Sequence, residues 1–254
     1  MVIGTLNIGC LMIREPGLFS RVNGYSNNSH SSNTEDIWQN YKRLKPGSKN
    51  QYDFCRTIKA CDITLGCGPA GSGKTYLAVS EALSALKEGI VKKIVLCRPA
   101  VEAGEKLGFL PGDLTAKVNP YILPLQDALE DLLGVKEVKK LLDEGTIRIM
   151  PLAYMRGRTL KDSFIILDEA QNSTPKQMFM FITRLGLGSK MVIVGDTSQT
   201  DLPHYQENGL TNFLELLQET PEIGVINFDA SDIKRHPLLN KIVGMYQDKN
   251  GYTK

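Results

Sequence analysis

The chain has 254 residues, of which 42% are apolar and 23% charged, and carries a net charge of +2. That length suits one medium domain with decorations, and that apolar share supplies a packed core. No run approaches the roughly 18 consecutive apolar residues of a membrane span, and near-neutral charge neither requires nor excludes a local basic channel. The five cysteines are Cys10, Cys55, Cys61, Cys67 and Cys97. An odd count suits reduced thiols better than a disulfide framework, and the spacing fits no zinc pattern.

The opening stretch, MVIGTLNIGCLMI, is apolar, but no basic residue precedes it and Arg14 follows it. It reads as a strand or arm on the folded core rather than a targeting signal. Residues 23–34, NGYSNNSHSSNT, have a linker's composition. The ordered part is therefore expected to start near Thr34, with residues 1–45 an N-terminal extension and 46–254 the main domain.

From there, strand-like and helix-like runs alternate. Residues 62–67 (DITLGC) read as a strand and 74–87 as a helix. A second strand is expected at 93–97 and a helix at 120–133, where Ile122, Leu125, Leu129 and Leu132 recur at helical spacing. Residues 146–150 (TIRIM) are β-rich. The short apolar runs 163–167 (SFIIL) and 191–194 (MVIV) suit strands buried on both faces of a parallel sheet. Thr174 before Pro175 marks a helix start. A last strand at 225–228 and a closing helix at 237–246 complete an α/β pattern with a mostly parallel sheet and helices on both faces.

Gly68-Pro69-Ala70-Gly71-Ser72-Gly73-Lys74-Thr75 fits G-x-x-x-x-G-K-[ST], with a strand before it and a helix after it. The glycines permit backbone conformations that turn successive N–H groups inward around phosphates, aided by the helix N-terminus. Lys74 supplies a point charge for the β- and γ-phosphates, and the Thr75 hydroxyl is a magnesium ligand. Tyr76 follows within the same binding segment.

The run 164–167 ends in Asp168-Glu169-Ala170-Gln171. Paired carboxylates at the carboxyl end of a buried strand stand where open α/β sheets bind ligands. Asp168 is expected to hold magnesium, and Glu169 to orient and activate the attacking water. The bland alternative is that both merely cap the next helix. Beyond 191–194, Gly195-Asp196-Thr197-Ser198-Gln199 repeats this arrangement, with Gln199 a sensor of the γ-phosphate or lytic water and Asp196 a candidate to position it. Upstream, Gln51 has the donor and acceptor to pair with an adenine edge, and Tyr52 a ring to stack on a base. The alternative is a surface glutamine and a packing tyrosine.

Hydrolysis of a γ-phosphate calls for a further cation at the transition state. Arg156, Arg158 and Arg235 are the candidate fingers, with Arg98 and Arg184 also available. About 55 residues follow Gln199, too few for a second domain of the same kind. Either another subunit supplies the arginine or the enzyme is slow, and a ring with nucleotide at each interface is the natural solution.

GPAGSGKTYLA, RPAVEAGEKLGFLPGDL, PLAYMRGRTL, FIILDEAQNSTPKQM, VGDTSQTDLP and IKRHPLL, taken in that order, resemble the PhoH-like ATPases, from about Gln51 to Tyr246. More distantly, they are similar to the first motor domain of superfamily-one helicases. The resemblance implies a RecA-like P-loop NTPase core, ATP and Mg2+ as cofactors, a hexameric homo-oligomer and a link to RNA or single-stranded DNA. By motif match it gives Gly68 to Thr75, Asp168, Glu169 and Gln199 as the ATP site and Gln51 as the adenine contact. No nuclease activity is transferred, because the N-terminal part is too short for a PIN domain. Similar short forms occur in bacteriophages, where a role in phosphate starvation or nucleic-acid metabolism is in view. A host or bacterial cytoplasmic location with no membrane partner is expected. Lys106, Phe109, Lys117 and Arg98 are candidates to line a nucleic-acid channel. Two rivals remain: an ATP-dependent switch or assembly factor acting on a protein partner, and a small-molecule kinase.

Overall fold

A computed structural model of the chain describes residues 36–100, 114–203, 205–216 and 222–234, with single positions at 220, 238 and 245. Among the described residues there are six strands: β1 (Ile63–Cys67), β2 (Lys93–Arg98), β3 (Ile147–Pro151), β4 (Ser163–Leu167), β5 (Lys190–Gly195) and β6 (Ile223–Asn227). They form one sheet in the order β3-β2-β4-β5-β1-β6, and every adjacent pair is parallel. The six helices described are α1 (Lys49–Ala60), α2 (Lys74–Lys87), α3 (Leu114–Leu133), α4 (Val135–Asp143), α5 (Pro175–Ile182) and α6 (Gly209–Leu216).

Because strand side chains alternate between faces, the sheet feeds two cores. Ile94, Leu96, Phe164, Ile166, Val192 and Val194 pack with Phe54, Leu77, Leu83 and Leu129 from α1, α2 and α3. Val95, Cys97, Ile165, Leu167, Met191 and Ile193 point the other way, onto Met178 and Phe181 of α5 and Leu210 and Phe213 of α6. Burial on both faces explains why the inner strands are continuous apolar runs. The architecture is the expected α/β core: a parallel sheet with helices on both faces.

α5 starts as its sequence dictates. Thr174 accepts from the Gln177 N–H, Gln177 reaches back to Thr174, and Pro175 fills the first turn. The sequence pattern does not announce α1, α4 or α6. In α1 the buried set Gln51, Phe54, Cys55 and Ile58 has helical spacing, but a glutamine and a cysteine break its apolar signature. The last strand starts two residues earlier than expected, because its pairing with β1 begins at Ile63↔Ile223.

Packing reaches upstream of residue 46. Ile37 is buried, and Trp38, Tyr41 and Leu44 lie against the same core. The Tyr41 hydroxyl donates to the Ser80 carbonyl at 2.8 Å, and Arg43 grips Glu81 at 3.0 and 3.2 Å. Cys55, Cys67 and Cys97 are free and buried. The N-terminal arm, Lys106, Phe109, Arg235 and most of the closing helix lie outside the described residues, as does the side chain of Lys117. Among the described residues, no helix is long and apolar enough to cross a membrane.

Candidate functional site

The carboxyl ends of β1, β4 and β5 open into a cavity of about 480 Å³. Gln51, Ala70, Gly71, Gly73, Lys74, Thr75 and Tyr76 line it, together with Asp168, Glu169, Asp196 and Gln199. One wall is thus the phosphate-binding loop and the other the acidic strand end.

The loop needs its glycines. Gly73 has φ +82°, and Gly68 has φ +144° with the Phe228 carbonyl oxygen directly against the place a Cβ would take. A side chain at either place is strained, and at Gly68 it collides with backbone. Lys74 lies along the loop, its Nζ donating to the carbonyls of Gly68 at 2.7 Å and Pro69 at 2.8 Å and to Ser72 Oγ at 3.1 Å. Burial holds the Lys74 ammonium below its ordinary pKa, against the pull of Asp196, Asp168 and Glu169. A phosphate in the cavity offers this ammonium charged acceptors in place of neutral carbonyls.

Gln51 braces the loop from α1. Its Nε2 donates to the Ser72 carbonyl at 3.0 Å and its Oε1 accepts from the Gly47 N–H at 2.7 Å. Both ends of the amide are therefore engaged within the chain while the residue lines the cavity. Tyr52 is 60% exposed and does not line the cavity, so the structure does not bring it to a bound base.

Thr75 Oγ1 donates to Asp168 Oδ1 at 2.7 Å. These oxygens fit magnesium, which takes a hydroxyl and one or two carboxylates and completes its shell with phosphate and water. Among the described residues, no group of three or more His, Cys, Asp or Glu could hold a metal. Asp196, a residue of the cavity wall, has its Oδ2 buried without a hydrogen-bond partner. Desolvation pushes the Asp168 carboxyl above its ordinary pKa, and nearby Arg98 opposes the shift.

Asp168 and Glu169 differ in access. The Asp168 side chain is 6% exposed and that of Glu169 40% exposed. Glu169 sits at φ 53°, ψ 41°, a left-handed conformation that side chains avoid, at the abrupt turn out of β4. Its carboxylate accepts from Arg98 Nη2 at 2.9 Å and from Gln171 Nε2. Gln171 Oε1 in turn accepts from the Asp196 N–H at 3.0 Å. A chain of polar contacts thus joins the ends of β2, β4 and β5. Asp196 also caps its own loop, with Oδ1 accepting from Ser198 N–H and Oγ, while the Gln199 N–H donates to the Asp196 carbonyl.

Arg156 and Arg158 are exposed in the turn after β3, outside the cavity wall. The cationic lining among the described residues is Lys45, Lys74 and Lys234. Lys45 and Lys234 carry no sequence signal beyond Lys234 preceding Arg235. Lys234 is fixed by its N–H donating to the Gly71 carbonyl at 3.1 Å.

Comparison with known proteins matches residues 43–247 to the family model described as PhoH-like protein. The chain is 53% identical over 218 residues to a PhoH-like protein of Bacillus subtilis (strain 168), covering 85% of this chain and 68% of that protein. It is 49% identical over 205 residues to a PhoH-like protein of Mycobacterium tuberculosis (strain ATCC 25618 / H37Rv), covering 81% of this chain. It spans 58% of that relative's length. Among solved structures, it is similar to the large terminase from a thermophilic bacteriophage at 14% identity and a TM-score of 0.46, covering 80% of this chain and 50% of that one.

Proposed function

The chain belongs to the PhoH-like protein family, and from that premise we propose that it is a magnesium-dependent ATPase coupled to RNA or single-stranded DNA, working as a ring of like subunits in the cytoplasm. The observation that carries this reading is the shared cavity of Lys74, Thr75, Asp168, Glu169 and Gln199. These residues supply the phosphate charge, the metal oxygens, the water-activating carboxylate and the sensor that hydrolysis requires.

Lys74 leaves its carbonyl partners and binds the β- and γ-phosphate oxygens. Thr75 Oγ1 and Asp168 would hold magnesium, which would supply charge neutralisation for the phosphates. Glu169, accessible to solvent, accepts a proton from water as its oxygen bonds to the γ-phosphorus. The bond from that phosphorus to the bridging oxygen breaks, giving ADP and phosphate. Gln199 hydrogen-bonds the γ-phosphate or the water.

Two features support a partner outside the cavity. Among the described residues no arginine lines the cavity, so a transition-state arginine from a neighbouring subunit completes it; Arg156, Arg158 and Arg235 are the candidates. On the α5 side of the sheet, exposed Tyr154 and Phe179 accompany Arg156, Arg158 and Arg184. Arg184 Nη1 donates to the Arg158 carbonyl at 3.0 Å, tying that surface together. Rings for stacking beside guanidinium groups suit a single strand. The test is ATP turnover with and without single-stranded RNA and DNA over a range of salt. The proposal expects stimulation that fades as salt rises. Unchanged turnover with no salt-dependent binding would instead favour a switch acting on a protein.

A further inference from the structure

Glu169 is not free to work in the conformation described. One carboxylate oxygen is taken by Arg98 at 2.9 Å and the other by Gln171. The same nitrogen of Arg98, Nη2, also lies 3.4 Å from Asp168. We infer that Arg98 is a restraint on the water-activating carboxylate, released when phosphate oxygens take the guanidinium. This rests on the role given to Glu169 above.

Three observations carry the inference. First, the hold is poorly formed for its partners. Arginine binds carboxylate and phosphate best through two parallel N–H bonds. Here both carboxylates crowd one nitrogen, while Nε is buried with no hydrogen-bond partner. A phosphate presenting two oxygens satisfies Nε and Nη2 together, so it competes well for a side chain already desolvated to 18% exposure. Second, Arg98 closes β2, which lies beside β4 on the side away from β1 and its phosphate loop. Arg98 does not line the cavity that Glu169 lines. The guanidinium therefore stands behind the reacting centre, able to report on events at the β2 side. Third, release frees only one oxygen. Gln171 stays tied to the Asp196 N–H and keeps the carboxylate oriented. The vacated oxygen is then the one that accepts the proton of water.

Because Arg98 does not line the nucleotide cavity, the releasing phosphate is that of a nucleic-acid backbone, and the experiment tests that source. Steady-state ATP turnover is measured for the wild type, Arg98→Gln, Arg98→Lys and Glu169→Gln, with and without a single-stranded RNA oligomer. The folded state of each variant is checked by melting temperature. Freeing Glu169 is expected to raise the unstimulated kcat of Arg98→Gln about fivefold or more, with KM within about twofold. Arg98→Lys, which keeps the charge without the fork, falls between and serves if Arg98→Gln does not fold. If the RNA stimulation factor shrinks as the basal rate rises, the nucleic-acid backbone is the releasing phosphate. If the factor is retained, RNA does not act by releasing Arg98 and the inference is overturned. A kcat that is unchanged or lower in both folded Arg98 variants overturns the restraint. A wild type that does not hydrolyse ATP, or a Glu169→Gln variant as active as wild type, overturns the underlying reading instead.

Discussion

Replacing Gln51 with alanine tests whether this residue chiefly braces the phosphate loop. The side chain is 5% exposed and makes two bonds, from the Gly47 N–H at 2.7 Å and to the Ser72 carbonyl at 3.0 Å. Gly47 is exposed, so water replaces the first bond and its loss costs about 1 kcal/mol. Ser72 is fully buried, and an orphaned carbonyl there adds ~1–2 kcal/mol. The sum, ~2–3 kcal/mol, lowers the melting temperature of a chain this size by roughly 4–10 °C. Because the loop serves any triphosphate, ATP and GTP affinities should fall by the same factor. Scanning calorimetry and titration of both nucleotides measure the two effects. Unchanged melting with selective loss of ATP would refute the brace and make Gln51 a base reader. Gln51→Glu sharpens the comparison, since it keeps the acceptor for Gly47 but sets a carboxylate oxygen against the Ser72 carbonyl.

The geometry supports two other predictions. At Gly195 an added Cβ would lie 2.6 Å from Gln171 Oε1 and 2.7 Å from a Leu210 methyl. Gly195→Ala should therefore destabilise the fold by ~1–3 kcal/mol in urea unfolding and lower turnover by displacing Gln171; a neutral variant would show that this contact yields freely. Asp168 has a carboxyl pKa raised above 3.8, chiefly by desolvation. A raised carboxyl stabilises the fold below its unfolded pKa and loses that contribution as pH climbs through the folded value. With magnesium chelated, Asp168→Asn should thus melt higher than wild type at neutral pH, with the gap closing in acid. A gap that widens on acidification contradicts the sign.

Much of the site is legible in the sequence because its parts are local. Strand β4 occupies the run 163–167 that the sequence marks, since four consecutive apolar residues ending in two carboxylates have few other readings. Helix α2 begins at Lys74, where the loop's last glycine supplies the left-handed cap. What cannot be read is what the sheet order creates. Arg98 meets Glu169 only because β2 pairs with β4, two elements separated in sequence by α3, α4 and β3. Lys45 and Lys234 reach one cavity from opposite ends of the described domain. Helix α1 is hidden because its buried stripe includes Gln51, a polar residue whose partners lie in the loop and not in the pattern. Arg156 and Arg158 stand near the acidic strand in sequence, but the chain must first pass from the end of β3 to the start of β4, which carries them away from the cavity wall.

The most direct test of the account is phosphate release from ATP and magnesium by the purified chain, compared with Glu169→Gln, with ATP binding measured on both. The wild type is expected to turn over, and the variant to bind ATP with similar affinity while kcat falls by roughly a hundredfold or more. Equal turnover by the two proteins, or none by the wild type, would contradict it.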